Sequence, residues 1–278
     1  MIIKNFLYNI IKSSLSRFNL AKVNKNLIYF DKNLTLSQFN LDRQNIIKNI
    51  KLNSLITTAG KKLGSFEDPY YYALKKSLPI IDKKTFIKSF VKKIKSKIKS
   101  SRSASEAMKF AKSKKLSLYP EWALVLPWEN ITIEENYNTY LEKFCSKRKK
   151  LKKFYEKCDQ CDKEKIIYND LAWKSHAEQF YKLYNSILKN GFNENNLVSV
   201  SMFKYKNLTR FSLKDDGNHR IRVAYAIGKK SVPLKISEII DFKEIDKWKN
   251  VKNGLYSHKE AKKVFTNYFN YNGHGANV

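Results

Sequence analysis

The stretch Asp215-Asp216-Gly217-Asn218-His219-Arg220-Ile221-Arg222 gathers two carboxylates, an imidazole and two guanidinium groups within eight positions. Guanidinium groups grip phosphate oxygens with a planar fork, and paired carboxylates can hold Mg2+ beside a triphosphate. The chemistry this combination supports is phosphate binding. Gly217, Asn218, His219, Arg220 and Arg222 are the candidates for holding the phosphates, and Asp216 and His219 are candidates for catalysis. Asp215 and Asp216 also suit a plain turn and helix cap, and the sequence leaves both roles open.

Arginine usage sharpens this reading. Of the 55 basic residues only 7 are Arg, a bias toward Lys that accompanies the many Asn, Ile and Tyr residues of an AT-rich coding sequence. Three of the 7 (Arg210, Arg220 and Arg222) fall within 13 residues around the turn. Lys does not replace Arg where bidentate recognition of an anion is needed.

The elements that must position these groups can be read on either side. Residues 208–213 alternate apolar and polar side chains, as a strand entering the turn would. Ile221, Ala224 and Ile227 recur at helical spacing, and Gly228 stands where a helix commonly ends. Val232-Pro233-Leu234-Lys235-Ile236 then reads as a strand. A strand-turn-helix leaves backbone N–H groups and the positive end of the helix dipole at one spot, which suits an anion. Asp-Gly and Asn-rich turns also punctuate ordinary loops.

Asp-Gly-Asn-His-Arg, the alanine-containing helix, Gly228 and Val-Pro-Leu-Lys-Ile together resemble the signature of the ParB/sulfiredoxin superfamily, over roughly residues 197–240. The resemblance implies a turn that holds the phosphates of ATP or CTP. It implies activities ranging from sulfinic-acid repair to free-serine kinases and CTP-switched DNA clamps. Sulfiredoxins carry their catalytic Cys just before the His, where this chain has Asn218, so the resemblance points away from sulfinic-acid chemistry. Kinases of the superfamily use a carboxylate to take the acceptor's proton, and Glu129 is the candidate by its position after an expected first strand. A second resemblance rests on Asp68-Pro69-Tyr70 and the segment 118–129, with Pro120-Glu121-Trp122-Ala123 and Leu126-Pro127-Trp128-Glu129. These look like bacterial proteins encoded near surface-polysaccharide genes.

The expected fold is α+β. A mainly helical, basic region spans 1–118, with amphipathic segments near 1–18, 37–50 and 84–99. A ParB/sulfiredoxin-like small mixed sheet with helices spans 119–242, interrupted by a charged helical insertion at 134–170. Helices near 239–248 and 257–269, with a tail, occupy 243–278. Within 118–129 two prolines bracket a short apolar strand candidate. A helix over 171–188 ends at Asn190-Gly191, and a strand follows over 197–203.

With 42% hydrophobic and 14% aromatic residues, the 278-residue chain can bury a core. Its formal charge of +30 raises nucleic acid or an anionic membrane as partners. Residues 1–30 hold no acidic side chain, and 83–115 hold 13 basic ones against Glu106. The helix at 1–18, with Ile3, Phe6, Leu7, Ile10 and Ile11 on one face, fits packing on its own domain or peripheral membrane contact. Three cysteines do not make a disulfide framework, and no long apolar run is present, so a cytoplasmic location is expected. Cys145, Cys158, Cys161 and His176 have the composition of a zinc site, while two unpaired thiols at Cys158 and Cys161 fit the charged surroundings better; no metal ligand is assigned. Three functions remain in view. The favoured one is a nucleotide-dependent, kinase-like phosphotransferase acting on a small molecule or glycan. The others are a ParB-like DNA-binding protein or nuclease, and a non-catalytic adaptor in surface-polysaccharide assembly.

Overall fold

The computed structural model describes residues 27–29, 45–78, 80, 82–98, 103–109, 113–146, 170–193, 196–214 and 216–273. Among the described residues six strands form one mixed sheet in the order β1-β2-β6-β4-β5-β3. They are β1 (Leu27–Tyr29), β2 (Asn45–Lys51), β3 (Leu55–Ile56), β4 (Val198–Tyr205), β5 (Leu208–Leu213) and β6 (Ser231–Asp241). β4 and β5 form an antiparallel hairpin, β6 runs parallel to β4, and β2 pairs antiparallel with β6.

The helices among the described residues are α1 (Pro69–Ser77), α2 (Lys83–Lys97), α3 (Ala104–Met108), α4 (Lys114–Ser117), α5 (Ile133–Ser146), α6 (Asp170–Asn190), α7 (Asn218–Ala226), α8 (Lys249–Lys252) and α9 (His258–Phe269). Their starts follow local chemistry. Asp68 accepts hydrogen bonds from the backbone N–H groups of Tyr70 and Tyr71 at the start of α1, with Pro69 in the first turn. Asp82 does the same for Thr85 in α2. Ser257 and Glu260 form a reciprocal capping box at α9.

Strand alternation divides the interior in two. Val198, Val200 and Met202 of β4 face a core with Phe86, Phe90, Trp173, Phe180, Ile221 and Ala224. Phe203 faces the opposite core, with Val125, Tyr256, Val264, Phe265 and Tyr268. In the first core α1, α2, α6 and α7 pack together. A bulge in the β4–β6 ladder then changes the phase of β6: Val200 lies opposite Ile236, but Ser201 lies opposite Glu238. The extra residue moves Glu238 and Ile240 onto the face opposite to Val232, Leu234 and Ile236.

Several expectations are corrected. Half of these strands come from the region expected to be mainly helical, and residues 45–50 of the expected helix at 37–50 belong to strand β2. Three isoleucines in seven residues satisfy either period, and the edge of β6 supplies the pairing that decides for a strand. Residue 118 is not a boundary in the sheet, because β2 pairs with β6 and β3 with β5. The proline-bracketed segment forms a 3-10 turn at Glu121–Ala123, with Pro120 at its start, and no strand. The helix expected at 239–248 begins as the end of β6 and continues as a 3-10 helix over Phe242–Lys247. Of the insertion at 134–170, α5 is described and 147–169 are not, and the segment 1–18 also lies outside the described residues.

Candidate functional site

β5 leads through Lys214 into the turn, and Gly217 caps α7 with φ 81° and ψ 0°. That left-handed conformation is open to glycine at little cost. A second constraint is packing: a Cβ at Gly217 would lie 2.5 Å from Cγ2 of Val198 at the start of β4. The turn is therefore pressed against the sheet. No side chain caps α7 at this position, and the first intrahelical bond runs from the Ile221 N–H to the Gly217 carbonyl at 3.2 Å. The opening residues of such a helix aim their N–H groups outward with the positive dipole end.

The sequence-selected side chains do not all converge here. Asp216 is exposed at the turn, and Asp215 lies outside the described residues. Arg220 donates from Nη1 to the Asn196 carbonyl at 2.6 Å and from Nη2 to Asn196 Oδ1 at 3.4 Å. It thereby ties the helix start to the loop before β4. Arg222 is a correction. Its Nε donates to Asp68 Oδ2 at 2.7 Å, both side chains are buried, and its guanidinium lies over the Tyr70 ring. A cation so placed joins α7 to the cap of α1 and is not presented at the turn. His219 is half-buried in the first turn of α7. Its ring packs edge-on against Phe180 at 4.4 Å and near His176 and Tyr70, a cluster shared by α1, α6 and α7. His176 also belongs to that cluster, and Cys158 and Cys161 lie outside the described residues. Tyr71, beside this cap, has its phenol pushed above the ordinary range by burial and then by the nearby Tyr225 and Asp68.

A cleft of about 600 Å³ opens on the opposite face of the sheet. Its lining includes Glu129, but not Asp216, Gly217, Asn218, His219, Arg220 or Arg222. Glu129 Oε2 accepts the Leu126 N–H at 2.7 Å, closing the turn around Pro127. Trp128 is anchored in the core against Phe203, Trp248, Phe265 and Tyr268. The floor carries a polar group that the strand phase alone does not reveal. Ser201 Oγ donates to Glu238 Oε1 at 2.5 Å, and Lys214 Nζ lies 3.0 Å from the same oxygen. Lys214 also lines the cleft and directly precedes the turn, so it is the structural link between the two features.

No family model, curated protein or solved structure matches this chain. No group of three or more His, Cys, Asp or Glu side chains disposed to hold a metal ion occurs among the described residues. No described helix is long and apolar enough to cross a membrane. Ser201, Lys214 and Glu238 were not selected from the sequence. The one readable signal was serine at 199 and 201 between the apolar residues of β4. The bulge that brings Glu238 to Ser201 leaves no mark on composition.

Proposed function

We propose that this protein binds the phosphates of a nucleotide, ATP or CTP, at the start of α7 and transfers a phosphoryl group to a hydroxyl-bearing acceptor in the cleft. In this reading it is a kinase-like member of the ParB/sulfiredoxin superfamily. The observation that carries it is Gly217, held left-handed against Val198 at the start of α7, a helix with no side-chain cap at this position; the N–H groups of a helix start suit an anion. Arg220 supplies a planar donor group beside it, already held by Asn196. Asp216 is the exposed carboxylate available to Mg2+, and Lys214 adds positive charge between turn and cleft. Phosphoryl transfer needs mainly positioning and charge neutralisation, and in this reading these groups supply the charge.

Glu129 is the carboxylate that takes the acceptor's proton in this reading, because it lines the cleft and is fixed by the Leu126 N–H. His219 and Arg222 hold α7 in place and do not touch the phosphates. The test is nucleotide turnover with and without Mg2+ in the wild type and Glu129→Gln. The variant should lose at least about a hundredfold in turnover with nucleotide affinity unchanged. Equal turnover in both proteins would remove Glu129 from the reaction.

A further inference from the structure

The charge of the cleft runs against the charge of the chain. The whole protein carries +30, yet the cleft is lined by three carboxylates (Glu121, Glu129 and Glu238) and one ammonium, Lys214. Lys214 and Ser201 both bond Oε1 of Glu238, and the Glu238 side chain keeps 42% of its surface accessible. An anionic ligand would meet a net negative lining in a partly enclosed space, where charges act more strongly than in water. A cation is favoured there.

The wall opposite the sheet is aromatic. Trp122 stacks on Tyr137 at 5.1 Å and 16° and on Tyr140 at 5.2 Å and 30°, and Trp122 and Tyr140 both line the cleft. Trp122 Nε1 is a buried donor with no hydrogen-bond partner among the described residues. Asn136 keeps this wall in place by donating from Nδ2 to the carbonyls of Ala123 and Leu124. Aromatic faces attract ammonium groups and the apolar faces of sugar rings. Asn130, Thr139, Ser201 and Ser212 add groups suited to hydroxyls.

From this combination we infer that the cleft binds an amine-bearing polyhydroxylated compound, an amino sugar in its ammonium form. Carboxylates take the ammonium, the Trp122 stack takes the ring face, and serine, threonine and amide groups take the hydroxyls. This deepens the acceptor side of the proposed function, and it can be tested without nucleotide.

The experiment is calorimetric titration of the full chain with glucosamine, glucose, N-acetylglucosamine and glucose 6-phosphate. Glucosamine should bind at least about tenfold more tightly than glucose or N-acetylglucosamine, and glucose 6-phosphate more weakly still. Glu238→Gln and Trp122→Phe should each weaken glucosamine, with unchanged circular dichroism showing that the fold persists. Equal affinity for glucosamine and glucose, preference for the phosphate ester, or no binding by any of the four would overturn the inference. A separate ATP titration keeps the two claims apart. Glucosamine binding without ATP binding would leave the cleft assignment standing and remove the nucleotide reading, and the reverse pattern would do the opposite.

Discussion

Arg222 Nε lies 2.7 Å from Asp68 Oδ2, joining α7 to the cap of α1 across 154 positions of sequence. Asp68 also accepts from the backbone N–H groups of Tyr70 and Tyr71, so one buried carboxylate satisfies a helix start and a guanidinium together. The pair fixes how α7, and with it the Gly217 turn, sits on the rest of the first core.

Removing either partner should be costly. Truncating one member of a buried pair leaves the other charge without compensation, a loss of roughly 3–5 kcal/mol. Arg222→Ala should therefore lower stability by about that amount in a urea titration, as should Asp68→Ala, which also removes the cap. A change below about 1 kcal/mol would show that the pair does not hold the helix.

Gly217→Ala tests the turn itself. The substitution forces an L side chain into φ 81° and drives its Cβ to 2.5 Å from Val198 Cγ2. Strain of about 1–2 kcal/mol from the backbone and a further ~1–3 kcal/mol from overpacking are expected. Adding Val198→Ala should recover only part, since the contact is relieved but the backbone strain remains. Full recovery would show that packing alone requires the glycine.

Alkaline pH should unfold the protein through Tyr256. Its hydroxyl donates to the Val125 carbonyl at 2.7 Å, and burial, then the charges of Glu129 and Glu260, raise its pKa well above 10.0. The unfolded phenol ionises near pH 10, whereas the folded one keeps its proton to higher pH. The stabilisation is therefore complete below about pH 10 and is lost as pH climbs toward the folded value. Tyr256→Phe should lose ~1–2 kcal/mol at neutral pH and show a shallower decline above pH 10. Identical alkaline slopes in the two proteins would assign that decline elsewhere.

Much of the positioning framework was legible in the sequence. Helices α1, α2 and α9 each join a capping side chain to an apolar stripe, as Asp82 does to Phe86, Phe90 and Ile94 in α2. The strand-turn-helix-strand around Gly217 was legible because each element agrees with its neighbours. β2 was not, because three isoleucines satisfy both periods and only the edge of β6 selects one. The contacts of Arg222 with Asp68 and of His219 with Phe180 are not legible in the sequence, because those partners are distant in it. The Ser201–Glu238–Lys214 group was hidden by the β6 bulge, which reverses the face of every later side chain in that strand.

Calorimetric titration of the wild type and Arg220→Ala with ATP asks whether the start of α7 holds a nucleotide's phosphates. Among the described residues the Arg220 side chain bonds the Asn196 loop, so its loss should leave the melting transition nearly unchanged. Charge-assisted bonds to phosphate are worth roughly 1.5–3 kcal/mol each, so affinity should fall at least about tenfold. Arg220→Lys should restore only part, because a point charge lacks the planar fork. Measurable ATP or CTP binding is expected in the wild type, and its loss in Arg220→Ala. Equal affinity in both proteins with equal melts, or no nucleotide binding by the wild type, would contradict it.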